Sequence, residues 1–202
     1  DDFEATTTNI DVHYPSYWFL ASTPYVFDES KDINQPTYNK NRAHLSWYTV
    51  DPIFGHSQNN TPAHIQNDLA ALSDHRTRIV YQDEIYPNRQ EATTVDTKLP
   101  ILNLSFYPNE RGQYNISADQ IGTDGRLTNP KQRWGGMMRR LDNTDFEKAN
   151  IEYIEFWLMD PALTNPEGYD GEMYINLGDI SEDILRDGKK AFEHGMPISE
   201  AD

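Results

Sequence analysis

Apolar and polar positions alternate with a period of two in several parts of this chain. In "HLSWYTV" (44–50), Leu45, Trp47 and Thr49 alternate with Ser46, Tyr48 and Val50. In "ILNLSFY" (101–107), Leu102, Leu104 and Phe106 oppose Asn103, Ser105 and Tyr107. In "IEYIEFWLM" (151–159), Ile154, Phe156 and Leu158 share one face, and Tyr153, Glu155 and Trp157 the other. In "EMYINL" (172–177), Met173, Ile175 and Leu177 point one way. Alternation rich in aromatic and β-branched residues predicts half-buried strands. The 151–159 run lacks Gly and Pro, so it is expected to be a central strand. "DDFEAT", "SYWFLAS", "RIVY" and "ATTVDT" carry the same pattern less fully.

Helical spacing is confined to three places. Thr61 is positioned to cap a helix over 62–74, with Ile65, Leu69 and Leu72 on one face. Thr144 and Glu147 form a capping box in "TDFEKAN". Ser181 is positioned to cap "EDILRDGKKAFEHG", where Glu182 and Asp183 suit the positive end, Gly188 weakens the run and Gly195 and Pro197 stop it. Many strands with few helices predict a mainly β fold: a jelly-roll-like β-sandwich with a few embellishing helices. One soluble domain over 1–202 is expected.

Charge narrows the function classes. With 33 acidic against 17 basic residues, the net charge is −16. That excess repels phosphate backbones and anionic membrane surfaces, so nucleic-acid binding is not expected. Cysteine is absent, which removes disulfides and thiolate chemistry. No apolar run is long enough for a spanning helix. The chain opens on Asp1, so a piece processed or cut from something longer is expected.

The candidate chemistry is sparse. "NPKQRWGGMMRRL" (129–141) places Gly135 and Gly136 beside basic residues, as an anion cradle would. It lacks the Gly-x-x-x-x-Gly-Lys spacing, and Met137, Arg139 and Leu141 alternate onward, so a turn or bulge feeding a strand is expected. The histidines at 13, 44, 56, 64, 75 and 194 have no paired helical spacing for zinc. Acidic residues cluster at Asp28, Glu29 and Asp32, at Asp83 and Glu84, at Asp142, Asp145 and Glu147, and at Asp179, Glu182 and Asp183. A paired-carboxylate glycosidase or a structural calcium ion in these loops stays open, although chance pairs are common at this composition. Trp47, Trp134 and Trp157 are candidates for core filling or for stacking on sugar rings. No catalytic residue and no cofactor-binding residue emerges.

Longer segments carry a resemblance. They are "HLSWYTVDPIF" (44–54), "EIYPNR" (84–89), "LNLSFYPNERGQYN" (102–115), "LTNPKQRWGGMMRRLDNTDFEKANIEYIEFWLMDP" (127–161) and "MYINLGDISEDILRDGKKAFEHGMP" (173–197). Their ordered succession resembles the conserved domain of the SprA (Sov) family, giant cell-surface proteins of gliding motility and type IX secretion in Bacteroidetes. The first 42 residues match loosely, through "DDFE" and "WFLASTP". Where the family motif often reads Arg-Gly-Pro-Tyr-Asn, this chain has Gln113 between Gly112 and Tyr114. The segment after Phe54 also diverges.

The resemblance implies a parent that is a very large outer-membrane β-barrel, the conduit of the type IX secretion translocon. Its partners would be other translocon subunits and cargo proteins with a C-terminal sorting signal. The chain is too polar for barrel wall, so a soluble insertion between barrel strands is expected, on the cell-surface side, with the periplasm as the alternative. It would be a non-catalytic scaffold or docking domain that caps, gates or assembles the conduit. A carbohydrate-binding module and a glycoside hydrolase are the alternatives. No ligand or catalytic residues carry over from the family.

Overall fold

The structure is a computed structural model and describes residues 10–31, 38–54, 60–88, 97–142, 145–148, 151–163, 170–185 and 188. Two compact units interleave along the chain. One gathers Asp1–Pro15, Tyr48–Asn103 and Leu141–Tyr169, the other Ser16–Trp47, Leu104–Arg140 and Asp170–Asp202. Short strands in two small sheets and a few short helices make this a mainly small-sheet fold.

The second unit contains nearly all of the strands. β1 (Phe19–Leu20) pairs antiparallel with β4 (Met137–Met138), Phe19 opposite Met138 and Leu20 opposite Met137. β2 (Ala43–Tyr48) pairs with β3 (Asn103–Arg111). The span leading into β4 is tied to two other segments. The Ala21 N–H donates to the Gly136 carbonyl at 3.1 Å. Trp134 bridges Arg42 in parallel: its N–H donates to the Asn41 carbonyl at 3.1 Å, and its carbonyl accepts from the Ala43 N–H at 2.8 Å. Leu20, Ala43, Leu45, Leu127 and Trp134 are buried around this junction.

Glycine lets these backbones meet. A Cβ on Gly112 would fall on the Ala43 carbonyl, 2.7 Å from its carbon. One on Gly135 would lie 2.9 Å from Leu45 Cβ and 3.0 Å from the Phe106 ring. One on Gly136 would lie 3.1 Å from Ala21 Cβ and 3.4 Å from the Trp134 ring. Neither Gly135 nor Gly136 has a left-handed backbone; the described glycines that do are Gly125, Gly178 and Gly188. The glycine pair therefore serves close approach and leads into β4; the expected strand follows it, but the expected turn or bulge at the glycines does not form. The strand stops at Met138, short of the expected Leu141.

Several expected elements take other forms. β2 and β3 lie on two of the four strongly alternating segments. β3 starts two residues later than expected and runs on to Arg111. "SYWFLAS" yields a 3-10 turn at Pro15–Tyr17 followed by β1, and "RIVY" yields one isolated bridge, Tyr81 to Lys98. Residues 151–159 are not the expected central strand. They lie outside any strand, with Tyr153 78% and Trp157 61% exposed. Residues 172–177 are likewise exposed and outside any strand. Alternation gives a segment two faces, but a strand also needs a neighbour to complete its ladder, and no ladder partner occurs among the described residues.

The first unit holds the helices. The expected helix over 62–74 is split into α1 (Ala63–Gln66) and α2 (Leu69–Ser73). The Thr61 hydroxyl does not cap; it donates to the Ile53 carbonyl at 2.8 Å. The break falls at Asn67 and Asp68, whose side chains bond backbone groups. Asn67 donates to the Ala63 carbonyl, and Asp68 accepts the Ala71 N–H at 3.0 Å to cap α2. α3 (Gln82–Ile85) follows, where the Glu84 carboxylate accepts the Tyr81 N–H at 3.0 Å and pairs with Arg78 at 2.9 Å. That pair, Arg78 first, holds the Glu84 carboxyl below its ordinary range. In the second unit, residues 181–185 are not helical, and Ser181 donates to the Asp183 carbonyl. Apart from Gly188, the rest of that expected helix lies outside the described residues, as do "DDFEAT", nearly all of "ATTVDT" and the cap at Thr144.

Gly112→Ala is expected to lower stability by about 1–3 kcal/mol, since its contact is with backbone and has no side chain to move aside. Gly135→Val should fall in the same range, whereas Gly125→Ala tests only left-handed strain, having no neighbouring atom to meet. Urea unfolding midpoints of the three variants read the ranking; an unchanged midpoint for Gly112→Ala removes the close-approach argument.

Candidate functional site

The densest polar constellation lies inside the second unit. It begins at a turn over Tyr38–Asn41 closed by the Arg42 N–H on the Asn39 carbonyl at 3.0 Å. This turn delivers Arg42 into the interior immediately before β2, and Arg42 is 1% exposed. Its guanidinium lies over the Trp134 ring, 4.4 Å from the centroid. Nη2 donates to the Ala21 carbonyl at 2.7 Å, and Nε and Nη2 both reach Asn39 Oδ1 at 3.2 Å. The Thr23 hydroxyl donates to the same oxygen at 2.6 Å. Burial pushes the Arg42 guanidinium down to about 10, which leaves it charged at neutral pH.

Trp134 joins the two halves of the cluster. Phe27 stacks on its ring at 5.5 Å, and its indole N–H donates to Glu29 Oε1 at 3.2 Å. Glu29 also accepts from the Asn41 amide side chain and backbone N–H. Burial raises the Glu29 carboxyl above its ordinary range, against those hydrogen bonds. Arg133, also buried, donates to the carbonyls of Thr128 and Lys40 and to Asn41 Oδ1. Asn115 donates from Nδ2 to the carbonyls of Lys40 and Arg42, at 3.0 and 2.8 Å. Four separate stretches, 21–29, 38–43, 111–115 and 128–136, thus close on each other. Among the described residues no carboxylate bonds either buried guanidinium.

A cleft of about 420 Å³ opens beside the cluster, lined by Phe27, Asp28, Glu29, Lys40, Asn41 and Gln132 among others. It has one aromatic wall and several amide and charged groups.

The residues singled out from sequence are dispersed. His44 shares a hydrogen bond with Ser46 and tilts against Tyr107; His75 is buried; His13 lies beside Asp11 and Tyr14; His64 is on α1. His56 and His194 lie outside the described residues. Of the first acidic cluster, Glu29 is interior, Asp28 is exposed beside Lys31, and Asp32 is not described. Among the described residues no group of three or more His, Asp or Glu could hold a metal ion. Of the tryptophans, Trp134 is buried, and Trp157 meets Tyr86 edge-on at 6.3 Å. Arg42 and Asn39 gave no sequence signal, and Arg133 lay in the stretch around the glycine pair without being singled out. The stretch 111–115, flagged by resemblance, supplies both the close-packed Gly112 and the buried Asn115.

No family model matches the chain, and no curated protein matches it.

Glu29 gives this cluster a pH signature. Its folded pKa lies above the unfolded value, so protonation favours the folded state. Its contribution is fully present below the unfolded pKa and is lost as pH rises through the folded pKa. The stability of wild type relative to Glu29→Gln should therefore grow as pH falls from neutral through the carboxylate range. Paired urea titrations across that range measure the difference; a flat difference places Glu29 in solvent, and one that shrinks towards acid shows that its hydrogen bonds hold it ionised instead.

Proposed function

We propose that this chain is a non-catalytic scaffold or docking domain of a type IX secretion outer-membrane translocon, inserted in a SprA (Sov)-like barrel protein. The reading rests on the SprA-like motifs. One observation carries it further: the residues of those motifs interlock. Gly112 and Asn115 from one motif, and Arg133, Trp134, Gly135 and Gly136 from another, close on β2 and the turn before it. Motif residues spent on a buried clamp are what a rigid spacer or docking platform needs, whereas an enzyme needs reactive groups converging on an open pocket. The acidic surface, net charge −16, suits selective docking over nonspecific adsorption to anions.

The finer architecture belongs to the same proposal. A jelly-roll-like sandwich over a single domain is the finer form of that reading. No helix among the described residues is long and apolar enough to cross a membrane, which says nothing of a β-barrel. We place the domain on the cell-surface side, because periplasmic turns of outer-membrane barrels are short. Its partners are translocon subunits and passing cargo.

A carbohydrate-binding module is the second reading, favoured by the cleft that sets the Phe27 ring beside the Asn41 and Gln132 amides. Glycan-array binding lost on Phe27→Ala would select it.

The test of the principal reading is an in-frame deletion of the domain in the full-length protein, with the barrel strands kept. The barrel should still insert in the outer membrane while sorting-signal proteins fail to be secreted. Undiminished secretion overturns the proposal, as does a hydrolase activity of the purified chain abolished by one carboxylate substitution.

A further inference from the structure

The β1–β4 ribbon has one covered face and one open face. Leu20, opposite Met137, is buried, whereas Phe19, opposite Met138, is 55% exposed. Successive pairs of an antiparallel ladder lie on opposite faces, so Phe19 and Met138 stand side by side on the outward one. Arg139 follows Met138 and lies over two rings, 5.7 Å from the Tyr17 centroid and 5.6 Å from that of Trp18. That brings Tyr17, itself 52% exposed, to the same end of the ribbon. Arg140 comes next; it is exposed, and among the described residues no carboxylate pairs with it.

Aromatic residues, Met and Arg are the types that the centres of protein interfaces favour. A guanidinium already laid across rings has less freedom to lose on binding. Charge and size then select the occupant. Arg139 and Arg140 are two adjacent cations in a chain of net charge −16, and a guanidinium pairs best with a carboxylate. The open face offers five side chains, against the roughly 20–30 residues a side of a stable globular interface. Two copies at −16 also repel each other, as does an anionic membrane surface. A short segment with one or two carboxylates fits, because the chain's other charges act on it only across screened distances of about 8 Å.

We propose that the outward face of the β1–β4 ribbon docks a short linear segment of a partner polypeptide in which a carboxylate adjoins an apolar side chain. The carboxylate pairs with Arg140, and the apolar side chain covers Phe19 and Met138. This names a surface for the docking reading above and rests on it.

The test uses the purified 202-residue chain and a phage-displayed library of random dodecapeptides. Selected peptides should be rich in Asp or Glu next to large apolar residues, and a synthetic copy of the most enriched one is titrated by calorimetry. Phe19→Ala and Arg140→Ala alter exposed side chains, so both should keep the wild-type urea midpoint, and each should weaken binding by about tenfold or more. The same peptide with amides in place of its carboxylates should bind wild type more weakly, yet lose nothing further on Arg140→Ala. No enrichment, enriched peptides without a carboxylate, or wild-type affinity in either variant overturns the proposal. So does binding to phosphatidylglycerol vesicles, or self-association of the chain, that both variants abolish. Failed capture alongside secretion that still requires the domain strikes this face and leaves the docking reading standing. Capture alongside undiminished secretion on deletion of the domain strikes that reading instead.

Discussion

The Arg42 guanidinium, seated on the face of Trp134 and withdrawn from water, is the contact on which the second unit depends. Desolvating a cation costs several kcal/mol, and the fold must return that through geometry. The stacking contributes about 2 kcal/mol when desolvated, and each charge-assisted hydrogen bond about 1.5–3 kcal/mol. These returns require Ala21, Asn39 and Trp134 to be in place together. They come from three stretches of chain, so the unit closes as a whole. The close approaches at Gly112, Gly135 and Gly136 follow from the same demand, because the backbones must come near enough for the ring to meet the cation.

The chain's overall acidity hid this. A net charge of −16 describes the surface, where Asp28 and Asp170 sit exposed beside Lys31 and Lys131. Among the described residues, the interior of the second unit has the opposite sign, with Arg42 and Arg133 against Glu29. A whole-chain charge therefore says what the protein will adsorb to, and nothing about which charges it folds around.

Legibility followed the physics of each signal. β2 and β3 were readable because alternation was matched by a neighbouring strand. The 151–159 and 172–177 runs carried alternation of equal strength and form no strand, because pairing is a property of two segments and periodicity of one. The helix over 62–74 was half readable: the spacing was right, but Asn67 and Asp68 compete for backbone groups in its middle. At the candidate site Trp134 and its glycines were visible as an unusual stretch. Arg42 was not, and Arg133 stood in that stretch with nothing to mark it as buried, since a buried arginine is identified by long-range partners that local pattern does not record. Gly112 and Asn115 were reachable through resemblance alone.

The clamp also sets an order of events as the chain is made. Asn115 reaches back 75 residues to Lys40, Arg133 reaches 93, and the Trp134 indole reaches 105 to Glu29. Contacts at such separations slow folding, because loop closure precedes any return from them. A chain emerging N-terminus first would hold the Tyr38–Arg42 turn and the apolar side of β2 uncovered for nearly a hundred residues of synthesis. For any protein that crosses a membrane before it folds, that delay is useful: the chain stays threadable until the segment that locks the unit arrives.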